Sequence, residues 1–106
     1  MTAPTFRSHP ALTAQASATL SALYPGRHWL GIGSGEAVNE HVAGLYWPEA
    51  HERIDRMFEA VDVIKKLFAS GLAQRDVRHN GQYYRLESTR LWTMPEVAPE
   101  IMVATS

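Results

Sequence analysis

Between Arg27 and His41 the chain reads RHWLGIGSGEAVNEH: an apolar run, glycines at alternate positions from Gly31 to Gly35, and then Glu36, Asn39 and Glu40. A backbone this bare lets a flat ligand approach closely, because Gly33 and Gly35 carry no side chain to hold it off. Ser34 and Asn39 offer hydrogen bonds to such a ligand, and Glu36 is a carboxylate able to take up or release a proton beside it. The run is not a Rossmann fingerprint. A G-x-G-x-x-G motif starting at Gly31 would need glycine where Glu36 stands, and the stretch from Ala37 to Trp47 separates the strand from its helix. No Gly-Lys-Ser/Thr occurs, so this is not a P-loop. On spacing alone, a glycine-rich turn with a capping acid fits the same residues equally well.

Other side chains with chemical potential fit structural roles. His9, His28, His41, His51 and His79 never fall in H-E-x-x-H or another ligand spacing, so no metal site is expected and they read as surface or cap histidines. Trp29, inside an apolar strand, reads as core, and Trp47 before Pro48 as a packing anchor at the start of a helix. Tyr83 and Tyr84 read as cross-strand packing residues of a hairpin, with a ligand-facing role as the lesser alternative. Glu49 with Arg53 and Glu52 with Arg56 have the i,i+4 spacing of pairs on a solvated helix face.

These residues need a scaffold. MTAPTF is β-tolerant and interrupted by Pro4, as at the end of a strand. Pro10 opens PALTAQASATLSALYPG at the first helical position, with Ser8 nearby as a cap, Leu12, Ala16, Leu20 and Leu23 on one stripe, and Pro25-Gly26 as the stop. HWLGIG is a continuous apolar run, the pattern of a parallel strand covered on both faces. The segment PEAHERIDRMFEAVDVIKKLFASG predicts a helix that covers a sheet. Ile54, Met57, Phe58, Val61, Ile64 and Phe68 recur at helical spacing, acids lie in its first turn, Lys65 and Lys66 near its end, and Gly71 is placed as a C-cap. Asn80-Gly81 between β-prone arms predicts a two-residue type I′ hairpin, and EIMVATS a last short strand.

Strand, helix, strand, helix, hairpin, strand is an α/β order with parallel pairing. Three parallel strands make only a slice of sheet, since a closed (β/α)₈ barrel needs about 250 residues. The 106-residue chain therefore reads as one partial barrel domain, residues 1–106, with open edges at its outer strands. Hydrophobic residues at 45%, charged residues at 20% and a net charge of -1 are those of a soluble globular protein, with no basic stripe for nucleic acid or an anionic membrane. The absence of Cys and of an apolar leader suits the cytoplasm.

The segments LGIGSGEAVNEH, WPEAHER and GQYYRL, in that order, resemble the luciferase-like family of barrel oxidoreductases. More narrowly, the chain is similar to the branch that uses the deazaflavin coenzyme F-420, which includes the F-420-dependent glucose-6-phosphate dehydrogenases. The resemblance covers nearly the whole chain. It implies a partial (β/α)₈ TIM barrel, about strands three to five, with two helices and an inserted β-hairpin. It further implies that Ser34, Gly35 and Asn39 contact the coenzyme, and that Glu36 assists proton transfer while hydride moves between the deazaflavin and an alcohol or sugar-phosphate-like substrate. One departure is Ala3, where the family has Thr before the Pro of the strand-three stretch. Two other readings stay open: an FMN-dependent luciferase-like monooxygenase, and a truncated, non-catalytic chain that pairs its open edges with another copy. The expected partners are a small-molecule substrate and either a second copy or the missing parts of the barrel.

Overall fold

The computed structural model describes residues 2–4, 9–33 and 50–104. In chain order they form β1 (Thr2–Pro4), α1 (Pro10–Leu23), β2 (Trp29–Gly33), α2 (Ala50–Ala73), β3 (Val77–Asn80), β4 (Arg85–Thr89) and β5 (Glu100–Ala104). β1, β2 and β5 make a parallel sheet in that order, and β3 with β4 an antiparallel hairpin. Each new parallel strand is added beside the previous one after a helical crossover, the βα succession of a barrel wall. The fold is a partial barrel, as expected from the element order.

Among the described residues, one face of the sheet is covered by the helices. Leu30 and Ile32 of β2 are buried in a core with Ala14 and Ala18 of α1, Met57, Ala60, Val63, Ile64, Leu67 and Phe68 of α2, and Tyr84, Leu86 and Leu91 from the hairpin and the segment after it. The alternate positions turn the other way: Trp29 is 51% exposed, and Met102, level with Gly31 across the ladder, is exposed too. The expectation of burial on both faces, with Trp29 in the core, is corrected here. In a closed barrel the face away from the helices lines the interior, so an apolar run of this kind is half filled by the elements described.

α1 departs from its expected orientation. Its buried residues are Pro10, Thr13, Ala14, Ser17, Ala18 and Ser21, whereas Leu12 and Leu23 are 61% and 66% exposed and Ala16 and Leu20 are exposed as well. The apolar stripe faces outward because α1 lies close against α2 and the sheet, and only Ala, Ser and Thr leave the backbones room to approach. Pro10 does occupy the first helical turn, but the cap is His9, whose Nδ1 accepts the Ala11 N–H at 3.0 Å. Ser8, the expected cap, lies outside the described residues.

α2 is the 24-residue helix the periodicity predicts, with Met57, Ile64 and Phe68 buried but Phe58 exposed. It runs past Gly71 to Ala73 and ends in a Schellman arrangement. Gln74 takes φ 55°, and the Arg75 N–H donates to the Ser70 carbonyl at 3.1 Å. Gly71 is required for packing instead, since a Cβ there would stand 2.9 Å from Cγ of Met94. Ser70 continues the tie between helix and following segment, donating to the Leu67 carbonyl at 2.6 Å and accepting the Leu91 N–H at 3.3 Å.

The hairpin is wider than the Asn80-Gly81 signal predicts. Asn80 pairs with Arg85, so Gly81 to Tyr84 form a four-residue loop closed by the Gly81 N–H on the Tyr84 carbonyl at 3.0 Å. Among the described residues positive φ is confined to Gly26 and Gln74, so the type I′ turn, which needs it at both central residues, is not formed. Tyr83 and Tyr84 belong to the loop and not to facing strands, and Tyr84 is buried.

Candidate functional site

The register of the parallel sheet defines where ligand chemistry would sit. Pro4 is level with Gly33, and Gly33 with Ala104, so the three strands end together at their carboxyl edge. Side chains that follow such an edge project into the mouth of an α/β barrel. Ser34 follows Gly33 directly in the chain. Ser34, Gly35, Glu36 and Asn39 themselves lie outside the described residues, as do His41, Trp47 and Glu49. Gly31 and Gly33 alternate with the buried Leu30 and Ile32, and so present bare backbone on the face away from the helices. Neither glycine carries a side chain that would hold a ligand off the strand.

A polar cluster among the described residues joins α2 to the hairpin loop. The Glu59 carboxylate accepts the backbone N–H of Tyr84 at 2.8 Å and that of Tyr83 at 3.1 Å, and lies 3.0 Å from Nε2 of His79. Lys66 Nζ lies 3.0 Å from Nδ1 of His79 and 3.2 Å from Asp62. An ammonium can only donate, so Nδ1 is the acceptor and the proton on the neutral ring sits on Nε2, which donates to Glu59. Burial pushes the Glu59 carboxyl up, but the His79 hydrogen bond and the two loop N–H groups outweigh it and hold the group below the usual glutamate range. Gly81 fits only because it lacks a Cβ, which would collide with the Glu59 carboxylate.

The loop is fixed from two further directions. Tyr84 meets the His9 ring edge-on with centroids 5.4 Å apart, and the Arg56 guanidinium lies 5.1 Å above the Tyr83 ring. Burial raises the Tyr84 hydroxyl above its ordinary value. At the far end of the hairpin Arg90 donates to Asp76 at 2.6 Å and to the Gln74 carbonyl at 2.7 Å, and lies 4.8 Å above Trp92. That guanidinium holds the Asp76 carboxyl down.

His28 meets Ser17 at 2.9 Å, and burial lowers its basicity. The expected pair of Glu52 and Arg56 is present at 3.6 Å. Among the described residues no group of three or more His, Asp or Glu is placed to hold a metal ion, and no helix is long and apolar enough to cross a membrane.

Glu59 carries no signal of its own in the sequence, and His79, expected as a surface or cap histidine, is instead buried between Glu59 and Lys66. The signal available was the spacing of Glu59, Asp62 and Lys66 along one side of α2, which is indistinguishable from a solvated face until the hairpin is laid against it.

With the geometry in place, comparison with known proteins is informative. The luciferase-like monooxygenase family matches residues 1–106. An F-420-dependent glucose-6-phosphate dehydrogenase of Microbacterium testaceum is 44% identical over 103 residues, which are 97% of this chain and 30% of that protein. The enzyme of the same name from Kineococcus radiotolerans is 46% identical over 101 residues, 95% of this chain and 29% of its own length. Among solved structures, an F-420-dependent secondary alcohol dehydrogenase in complex with an F-420-acetone adduct superposes with a TM-score of 0.83 at 36% identity, over 92% of this chain and 29% of that one. A monooxygenase from Streptomyces bottropensis superposes with a TM-score of 0.69 at 27% identity, over 97% of this chain and 30% of the other. The chain spans about 30% of the length of the relatives it matches.

Proposed function

We propose, from the premise that the chain belongs to the luciferase-like monooxygenase family, that it forms part of the coenzyme site of an F-420-dependent oxidoreductase acting on an alcohol or sugar-phosphate-like substrate. The observation that carries this reading is the likeness to the alcohol dehydrogenase solved with an F-420-acetone adduct, at a TM-score of 0.83 and 36% identity. The bare strip at Gly31 and Gly33, beside the aligned strand ends, suits a planar ring. Residues 1–106 act as one partial barrel domain, and its outer strands are completed by the rest of a barrel or by another copy.

The coenzyme, when bound, supplies a ring carbon that takes or gives a hydride. The chain supplies groups on one side of that ring. Oxidising an alcohol to a carbonyl releases a hydroxyl proton as the hydride leaves carbon, and Glu36 accepts it; in the reverse direction Glu36 returns it. Ser34 and Asn39 hydrogen-bond the coenzyme, and Gly35 lets the backbone lie against it.

Titration of the protein with oxidised F-420, followed by fluorescence, tests this with FMN as the parallel ligand. Saturable F-420 binding without FMN binding is expected. Glu36→Ala should keep F-420 affinity within about threefold while slowing hydride transfer by about 10²-fold or more, the range for loss of a general base. A folded protein that ignores F-420 would sink the proposal, and FMN binding in its place would move the assignment to a flavin monooxygenase.

A further inference from the structure

The cluster around Glu59 does more than fasten a hairpin. The N–H groups of Tyr83 and Tyr84 lie in the loop, outside the β3–β4 ladder, and part-buried donors need an acceptor. Glu59 receives both, and Nε2 of His79 completes its shell. A loop seated on a charged carboxylate in this way has one position, which puts the Tyr84 ring against His9. His9 is itself the cap of α1, and its Nδ1 meets the Ala11 N–H only while the ring keeps its present rotation. The Tyr84 ring stands edge-on beside it at a centroid separation of 5.4 Å, placed to oppose that rotation. His9 follows Pro4, the last residue of β1, by five positions in the chain, and Pro4 lies level with Gly33 at the carboxyl edge of the sheet.

We propose that Glu59 is a positioning residue for the carboxyl edge of the sheet: by seating the loop it holds Tyr84 against His9, and so fixes the start of α1 and the end of β1 beside the coenzyme site. The assignment of that edge to F-420 rests on the function proposed above; the mechanical link from Glu59 to α1 does not. Glu59 stands in α2, remote in sequence from everything it positions, and no part of the role requires it to touch a ligand.

Amide hydrogen exchange and F-420 titration, measured together on the wild-type protein, Glu59→Gln and Tyr84→Leu, test the link. Glu59→Gln should speed exchange of the Tyr83 and Tyr84 amides, and also of Ala11 and Leu12, by about tenfold, the scale of one lost charge-assisted hydrogen bond. Tyr84→Leu keeps the backbone donor and removes the ring, so it should speed Ala11 and Leu12 alone. Both variants should weaken F-420 binding by about threefold or more, whereas exchange in the Ile64 to Leu67 turn stays unchanged.

Unchanged Ala11 and Leu12 protection in Tyr84→Leu would overturn the link and leave Glu59 as a local fastening of the hairpin. Faster exchange with unaltered F-420 affinity would overturn its bearing on the site. Should Glu59→Gln fail to fold, Tyr84→Leu decides alone. Should the wild-type protein bind no F-420, the functional assignment falls while exchange still decides the link.

Discussion

The Glu59 carboxylate accepts the Tyr84 N–H at 2.8 Å, joining positions 25 residues apart in the chain. Folding holds this carboxyl below its ordinary range, so the folded protein binds its proton less readily than the unfolded chain does. The resulting stabilisation is complete above the unfolded value of about 4.3 and is lost as pH falls through the folded value. Unfolding free energies from urea titration of wild type and Glu59→Gln should therefore differ by about 1–3 kcal/mol at pH 7, with the gap closing toward pH 3. A gap that stays constant over that range would show that the charge contributes nothing.

Gly81 and Gly26 should respond differently to alanine. Gly26 has φ 74° and open space where a Cβ would be, so Gly26→Ala meets only the backbone cost of about 1 kcal/mol. At Gly81 the added methyl collides with the Glu59 carboxylate and its His79 partner, and the lock must open. Gly81→Ala should lower the melting temperature more than Gly26→Ala does, and its effect should shrink in a Glu59→Ala background. Equal effects in both backgrounds would exclude the collision as the cause.

The inverted face of α1 makes a prediction opposite to the one a leucine stripe suggests. Ala18 is fully buried between α1 and its neighbours, so Ala18→Leu should cost about 1–3 kcal/mol by overpacking. Leu12→Ser, on the exposed side, should stay within about 0.5 kcal/mol of wild type. Chemical denaturation of the two variants distinguishes the orientations, and a larger loss from Leu12→Ser would restore the original stripe.

Gln74 holds the left-handed conformation that ends α2. Glycine adopts it without the Cβ penalty, so Gln74→Gly should raise stability by roughly 0.5–1 kcal/mol, read as a higher melting temperature. No gain, or a loss, would mean that the Gln74 side chain compensates for its own backbone.

The parts of the fold legible in the sequence are those set by near neighbours. β2 and β5 are short apolar runs between turn residues, and α2 repeats its apolar positions often enough that Met57, Ile64 and Phe68 declare their face. α1 misled because leucine is assumed to point inward, whereas the close approach of α1 to α2 reserves its inner face for Ala14, Ser17, Ala18 and Ser21. The hairpin turn misled for a different reason. Asn80-Gly81 favours a two-residue turn locally, but the acceptor that seats the wider loop, Glu59, belongs to another element. Trp29 has apolar neighbours in the chain, yet strand alternation places it on the face away from Leu30 and Ile32, where it is 51% exposed. The candidate coenzyme residues Ser34, Gly35, Glu36 and Asn39 rest on a resemblance, because spacing alone fits a capped turn equally well.

The order of the sheet sets a timetable for synthesis. β2 lies between β1, made just before it, and β5, made after a long helix and a hairpin. While the ribosome is still adding α2, one edge of Trp29–Gly33 has no partner within the sheet described here, and that partner is supplied only when Glu100–Ala104 have emerged. Non-local parallel pairing of this kind is slow and leaves strand edges open to other nascent chains. Translation speed between Ala50 and Pro99 therefore governs how long the central strand waits, and synonymous codon changes in that interval are a means of altering yield without altering a single side chain.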